Sequence, residues 1–384
     1  MKSKLMVVLC LVLAGALVLG GCSDKIVASV NGVPIKYDKY VDYLTQMGIS
    51  PDDAEATQDK ADMVEYLVQE EALNQMLKDK GYLDLTDEQV AQAESDAKEI
   101  LDSFVQYQYQ AQIAEELGED YTEEQHTAVL EKYNKQALEE NGLTWEELLD
   151  SYKMQLALDA AREELTGDVV PTEEEIRAEY DKQLATDKEA MDADPSVYES
   201  AVNYGATVYY IPEGLRNVKQ VLIKIDDKAT EAISLLRQNA YDDQADALLE
   251  MALADIKAEA ESVLEKINSG ELTFDQAVEQ FNDDTGMPEE GYMVCKNSTT
   301  YMESFTNGAM ALAKLGDVSG LVKTDYGYHI IQYTSDVKSG EVGFDQLRDS
   351  VAQSLTATMQ DEKWTAIVDE WNDKQDIKYF EDNY

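Results

Sequence analysis

A chain of 384 residues is long enough for two or three domains and can bury a substantial core without disulfides or metals. Its 79 acidic residues against 31 basic ones give a formal charge of -48, which excludes nucleic-acid binding through phosphate contacts and charge-driven adhesion to an anionic membrane. Three cysteines and two histidines make neither a disulfide scaffold nor a histidine-rich metal site, and no metal or cofactor is expected.

Residues 1–21 place Lys2 and Lys4 before an apolar run from 5 to 19, the layout of a secretory signal rather than of a spanning helix. The run ends Leu19-Gly20-Gly21-Cys22 and is followed by polar Ser23, Asp24 and Lys25. This resembles a bacterial lipobox, in which the cysteine is acylated and becomes the mature N-terminus. The resemblance implies lipidation at Cys22 and a location on the outer face of the cell membrane, with the folded part in solvent.

Residues 26–30 are β-rich, Asn31-Gly32 is a two-residue turn signal, and Val33, Pro34 and Ile35 follow before a helix opens at Tyr37. Residues 51–165 are almost wholly helical in pattern. Thr86 with Gln89, and Thr144 with Glu147, are two capping boxes. Pro171 to Glu175 starts another helix, whose acidic first turn suits the positive helix end. His126, within Glu123-Glu124-Gln125-His126, is a helix-surface residue. Residues 192–196 lack the glycine and the terminal glutamate of a calcium loop.

Pro212 and Gly214 mark 209–216 as a linker, and a new pattern begins after it. A strand is predicted at 218–225, a long helix at 230–266 ended by Gly270, and a short helix at Phe274–Phe281. A loop at 282–290, a strand at 291–294 and a helix at 303–315 follow. Two short strands close the pattern around Thr324-Asp325, a Tyr-Gly-Tyr bend and His329-Ile330-Ile331. The tail from 341 returns to amphipathic helix and ends in a strand-like scrap at Asp376 to Tyr379.

The stretch 316–333 resembles the C-terminal strands of parvulin-type peptidyl-prolyl isomerases, where a Thr-x-x-Gly-x-His-Ile-Ile pattern carries the second histidine of the site. The order of strands and helices from 218 onward is the parvulin order. The strand, Asn-Gly turn and helix at the start, and the returning tail, are similar to the chaperone domain of PrsA-type and SurA-type secretion foldases. Together these resemblances imply an α+β chain: a small antiparallel sheet with surrounding helices, inserted into a mainly helical chaperone domain. The implied bounds are 1–21 for the signal, 22–208 for the helical domain, 213–337 for the isomerase domain and 338–384 for the returning helix.

Amide resonance sets a barrier of about 20 kcal/mol to rotation about a peptide bond. Lowering it at proline needs no nucleophile. It needs an apolar pocket for the ring and polar groups that suit the twisted amide better than the planar one. Tyr301, Phe305 and Met310, at helical spacing on one segment, are the candidate substrate-binding walls; the parvulin pattern implies Phe305 and Tyr301 among them, with Asp284, Thr324 and His329 as catalytic members. Gln220 stands where the family's first histidine is expected, as the fourth catalytic member. The implied function is a membrane-anchored isomerase and foldase acting on unfolded or partly folded secreted polypeptides with Xaa-Pro bonds. The alternative is a non-catalytic holdase whose parvulin-like domain is degenerate.

Overall fold

The computed structural model describes residues 25–53, 56–118 and 120–384, so the signal and Cys22 lie outside the described residues. The chain divides into two compact units, one of residues up to Val170 together with Thr356–Tyr384, the other Pro171–Leu355. The second is thus an insertion in the sequence of the first, and the chain is α+β.

In the first unit, β1 (Ile26–Val30) and β2 (Val33–Lys36) form an antiparallel hairpin with Val30 opposite Val33. Asn31 and Gly32 have φ of 50° and 83°, the left-handed pair that a two-residue hairpin turn needs. Pro34 lies on β2, at the sheet edge, where its missing N–H costs no ladder bond. Strand β9 (Ile377–Tyr379) covers the other edge of β1, so the tail completes a sheet begun at the N-terminus. Val27, Val30 and Ile35 pack with Tyr40 and Leu44 of α1 (Tyr37–Gln46) and with Val64, Leu67 and Val68 of α2 (Thr57–Asp79).

Helices α3 (Asp87–Gln108), α4 (Gln110–Leu117), α5 (Glu123–Glu140) and α6 (Trp145–Thr166) build a second core around Leu101, Val105, Leu130 and Tyr133. The boxes at Thr86 and Thr144 form as expected, and Thr122 with Gln125 makes a third. His126 is half-buried and stacks on Tyr121, with ring centroids 5.6 Å apart.

In the second unit, α7 (Glu173–Ala193) and α8 (Ser196–Asn203) precede the sheet. By packing they group with the sheet-bearing unit, whereas the sequence pattern joins them to the helices before them. The stretch 209–216 is not a bare linker: β3 (Tyr210–Ile211) pairs with β8 (Gly340–Glu341), and β4 (Arg216–Lys224) has already begun. The main sheet runs β5-β4-β7-β6 and is antiparallel throughout, with β5 at Tyr292–Val294, β6 at Val322–Thr324 and β7 at Gly327–Asp336.

The long helix expected at 230–266 is two helices, α9 (Asp227–Gln238) and α10 (Asp242–Ser269). Ala240 between them is left-handed, with φ 58°, and Asn239 bonds back to the Leu235 carbonyl. Helix α11 spans Phe274–Phe281 as expected. Helix α12 (Glu303–Met310) stops short of 315, because the Asp317 carboxylate accepts from the Ala313 and Lys314 N–H groups and draws the chain into a turn. Of α13 (Phe344–Asn372), Phe344, Leu347 and Val351 pack with Ile176 and Tyr180 in the second unit. Trp364 and Trp371 of the same helix pack near Met76 and Leu77 in the first.

Successive residues of a strand face opposite sides of a sheet. Val221 and Ile223 of β4, with Tyr328 and Ile330 of β7, therefore share a core with Ile233, Leu253 and Phe274 of the helices on one face. Val218, Ile331 and Tyr333 face the other side, against Phe305 and Ala309 of α12. Gln220, Leu222 and His329 stand on that second side by the same alternation.

Candidate active site

The pairing of β4 with β7 sets Gln220 opposite Ile331 and Leu222 opposite His329. Gln220 and His329 are diagonal neighbours on one face, within reach of each other's side chains. Thr324 arrives on β6, which turns into β7 through Tyr326 and Gly327. Gly327 has φ 146°, and a Cβ there would lie 2.1 Å from the Ile223 carbonyl oxygen, so the tight bend that brings Thr324 to His329 requires glycine.

Asp284 is delivered by a loop that zips onto β4. Asp283 N–H donates to the Leu222 carbonyl, Leu222 N–H to Asn282 Oδ1, and Lys224 N–H to Asp283 Oδ2, each at 2.9 Å. Asn282 Nδ2 returns to the Asp284 carbonyl at 2.9 Å.

These elements enclose a hollow of about 340 Å³. Gln220, Asp284, Thr324 and His329 line it, with Leu222, Tyr292, Tyr301 and Phe305. Rings form one wall: Tyr301 to Phe305 is 5.5 Å between centroids, Tyr292 to Tyr301 5.4 Å, and Phe305 meets the His329 ring edge-on at 5.4 Å. Six of the seven predicted members therefore come together. Met310 does not. It lines a separate hollow with Thr306 and Asn307. Five residues beyond Phe305 it is well round the helix, and Ala309, four residues on, takes the place against the sheet.

The polar members form one chain of hydrogen bonds whose direction follows from chemistry. A carboxylate only accepts, so the Gln220 amide turns its Nε2 to Asp284 Oδ2, at 2.6 Å. Its Oε1 then faces His329 Nδ1, which must carry the proton. His329 Nε2 is left as the acceptor for the Thr324 hydroxyl, at 2.6 Å. Thr324 Oγ1 in turn accepts from Tyr326 N–H at 3.1 Å.

At the far end Asp284 also accepts from the Tyr292 hydroxyl at 2.7 Å and from Gly286 N–H at 3.1 Å. The amide of Gln220 thus sets the imidazole tautomer. Burial pushes the His329 pKa down to about 4 against the opposing pull of Asp284, so the ring is neutral at physiological pH. Burial and the bond to Asp284 hold the Tyr292 phenol above its usual range, so it remains a donor. Burial, with Glu199 nearby, pushes Tyr301 up to about 12.

Sequence reasoning missed Leu222, Tyr292 and Asn282. Alternation from Gln220 points to Leu222. No spacing signal marked Tyr292 or Asn282, whose roles depend on how the loop folds back on β4. Among the described residues no cluster of His, Cys, Asp or Glu has the makings of a metal site.

Residues 223–335 match the rotamase family, the PPIC-type PPIase domain. Asp284, Tyr301, Phe305, Thr324 and His329 fall inside that match, and Gln220 lies just before it. The chain is 26% identical over 288 residues to the foldase protein PrsA of Clostridium botulinum (strain Langeland), covering 71% of this chain and 81% of that one. It is 24% identical over 283 residues to the foldase protein PrsA of Clostridium perfringens (strain 13), covering 71% and 80%. Among solved structures it is similar to a SurA-like chaperone of Campylobacter jejuni, at 11% identity and a TM-score of 0.36 over 93% of this chain and 99% of that one. It is also similar to PrsA of Bacillus subtilis, at 18% identity and a TM-score of 0.21 over 92% of each chain.

Proposed function

We propose that the chain, which carries a PPIC-type peptidyl-prolyl isomerase domain and is homologous to PrsA foldases, catalyses cis–trans isomerisation of Xaa-Pro bonds in unfolded polypeptides. The observation that carries the reading is a hollow with ring walls and a polar floor whose groups are bonded to one another. Planarity of an amide comes with charge separation between oxygen and nitrogen, and the twisted amide is less polar. A ring-walled hollow whose polar floor groups are already bonded to one another offers few partners to the separated charges of the planar amide, and so disfavours the planar form more than the twisted one. Phe305, Tyr301 and Leu222 grip the ring. Gln220, neutral His329 and Thr324 hold the floor rigid, and Asp284 anchors its end. No covalent step is required.

The test is exchange between cis and trans forms of an Xaa-Pro peptide, with the purified chain present in catalytic amounts. Acceleration that Phe305→Ala and His329→Ala each reduce is the expected result. Exchange no faster than in buffer would remove the claim.

A second reading is favoured by one residue, Gln220, which replaces the first histidine of the parvulin pattern. On it, the domain holds unfolded chains without isomerising them. Suppression of client aggregation by a chain that shows no isomerisation, undiminished in Phe305→Ala, is what that reading expects.

The same reading makes the partners unfolded or partly folded secreted polypeptides and the location extracytoplasmic. The apolar leader and Cys22 support a lipid anchor, and among the described residues no helix is long and apolar enough to cross a membrane. Replacement of Cys22 by alanine is expected to move the protein from the membrane to the soluble fraction. Unchanged fractionation would refute the anchor.

A further inference from the structure

We propose that Arg237 is a positioning residue of the candidate active site, holding the turn between β6 and β7 so that the Thr324 hydroxyl stays bonded to His329. The expected effect on catalysis rests on the isomerase reading above; the geometry does not.

Thr324 and Gly327 are paired, so Asp325 and Tyr326 form a two-residue connection between the strands. Connections of that length fit the twist of a hairpin best when a central residue is left-handed. Neither Asp325 nor Tyr326 has a positive φ, which falls one residue later, on Gly327. The turn lacks the local preference that closes the hairpin at Asn31-Gly32. It is held from outside instead.

Arg237, in the last turn of α9, supplies the hold. Its Nε donates to Asp325 Oδ2 at 3.1 Å and its Nη2 to Asp325 Oδ1 at 3.2 Å, a two-point grip on one carboxylate. The same guanidinium donates from Nη2 to Asp246 Oδ1 at 2.7 Å and from Nη1 to Asp242 Oδ1 at 3.3 Å. Asp242 and Asp246 share one face of α10, so the cation lies between two helices and the turn. The left-handed Ala240 makes this possible, because it ends α9 just past Arg237 and turns the chain into α10.

A second contact reinforces the first. Lys323 precedes Thr324 and faces the opposite side of β6. Its Nζ donates to both carboxylate oxygens of Glu250, at 2.7 and 3.0 Å. Glu250 continues the stripe of Asp242 and Asp246 along α10. Both sequence neighbours of Thr324 are thus tied to the α9–α10 pair, while Thr324 itself, 4% exposed, bonds His329.

An isolated surface ion pair contributes little to stability. This one is forked, its side chains are 30% and 22% exposed, and three carboxylates share the cation. Its consequence is position. Thr324 Oγ1 donates to His329 Nε2 and accepts from Tyr326 N–H, so the hydroxyl's place depends on the backbone of the turn. Releasing Asp325 loosens that bond while the ring wall of Tyr301 and Phe305, on other elements, stays in place.

The chain has only two histidines, so the ¹⁵N resonances of His329 can be followed in the full-length protein. The Nε2 shift reports whether the Thr324 hydroxyl is bonded to it, and Thr324→Val marks the unbonded value. Arg237→Gln and Asp325→Asn are each expected to move the shift toward that value, with urea unfolding showing a folded protein. Lys257→Gln, which breaks the pair with Glu261 on α10 and does not involve the turn, is expected to leave the shift unmoved. In the exchange assay Arg237→Gln is expected to lower kcat/KM about fivefold, the effect of one weakened hydrogen bond, through kcat with KM little changed. In a Thr324→Val background the same substitution is expected to cause no further loss, because the bond it protects is already gone.

An Nε2 shift unchanged in folded Arg237→Gln overturns the positioning role whatever the rate does. An equal movement in Lys257→Gln, or a full additional loss of rate in the Thr324→Val background, overturns it as well. A shift that moves as expected in a protein that isomerises no peptide leaves the positioning role standing and removes the catalytic reading.

Discussion

The two faces of the four-stranded sheet are made by alternate residues of the same two strands, and they do different work. On one face Val221, Ile223, Tyr328 and Ile330 pack in an apolar core with residues of the helices. On the other Gln220 and His329, each 5% exposed, sit with Thr324 beneath Phe305. Both faces are equally buried, so burial alone does not distinguish scaffold from site. The difference lies in how polarity is tolerated. The first face avoids it, and the second closes it into a chain running from Tyr326 N–H to the Asp284 carboxylate. A buried polar group is costly only when left without a partner.

That contrast is broken most directly from the scaffold side. Ile330→Ala, at a fully buried position, is expected to cost about 2–5 kcal/mol in urea unfolding. The isomerisation rate per folded molecule should be little changed. A folded but inactive Ile330→Ala would mean that the faces are not separable.

The next effect is a pH dependence confined to the site face. The His329 pKa falls from the ordinary 6.5 to about 4 on folding, so between those values the unfolded chain binds more protons than the folded one. Stability supplied by the neutral ring is therefore complete above pH 6.5 and lost as pH falls toward 4. Relative to His329→Asn, the wild type is expected to lose about 3 kcal/mol over that window, measured by urea titration at each pH. Isomerisation should be flat from pH 6.5 to 8, since the ring stays neutral. Parallel stability curves for the two proteins would contradict the assignment.

Gln220→Leu removes the acceptor for His329 Nδ1–H and one of Asp284's donors while keeping bulk. It is expected to cost about 1–3 kcal/mol of stability and roughly a tenfold loss in kcat/KM, readable in the same exchange assay. Stability unchanged, with activity unchanged, would show that the chain of bonds does not hold the floor.

The smallest effect is expected at Thr273, whose hydroxyl caps α11 in a box with Gln276. Thr273→Ala should cost about 1 kcal/mol and leave the rate unaltered, because Asp284 is held by its bond from Gln220 and by the bonds of Asn282 and Asp283 to β4. A marked rate loss there would mean that α11, rather than those bonds, sets Asp284.

The elements legible in the sequence are those with local causes. Asn31-Gly32 takes the left-handed pair that closes a hairpin, Thr86 and Thr144 cap their helices, and Phe274–Phe281 is bounded by a cap and a loop. Thr324 and His329 were legible because one short bend joins them. Illegible features have distant causes. The break at Ala240 occurs without Gly or Pro, and β3 finds its partner β8 far along the chain. Tyr292 meets Asp284 only because residues 282–284 fold back on β4. Met310 was misplaced by reading helical spacing too loosely. The shape of the floor depended on Gln220, whose amide the sequence named without showing that it gives the chain of bonds a single direction.

If this hollow lowers the barrier to rotation at proline, catalytic amounts of the protein speed cis–trans exchange. The most direct measurement is the cis–trans exchange rate of an Xaa-Pro peptide by two-dimensional exchange NMR at pH 7, with wild type and Gln220→Leu side by side. The prediction is clear acceleration by the wild type and about a tenfold weaker acceleration by the variant. A wild type that leaves the exchange at its uncatalysed rate would contradict it.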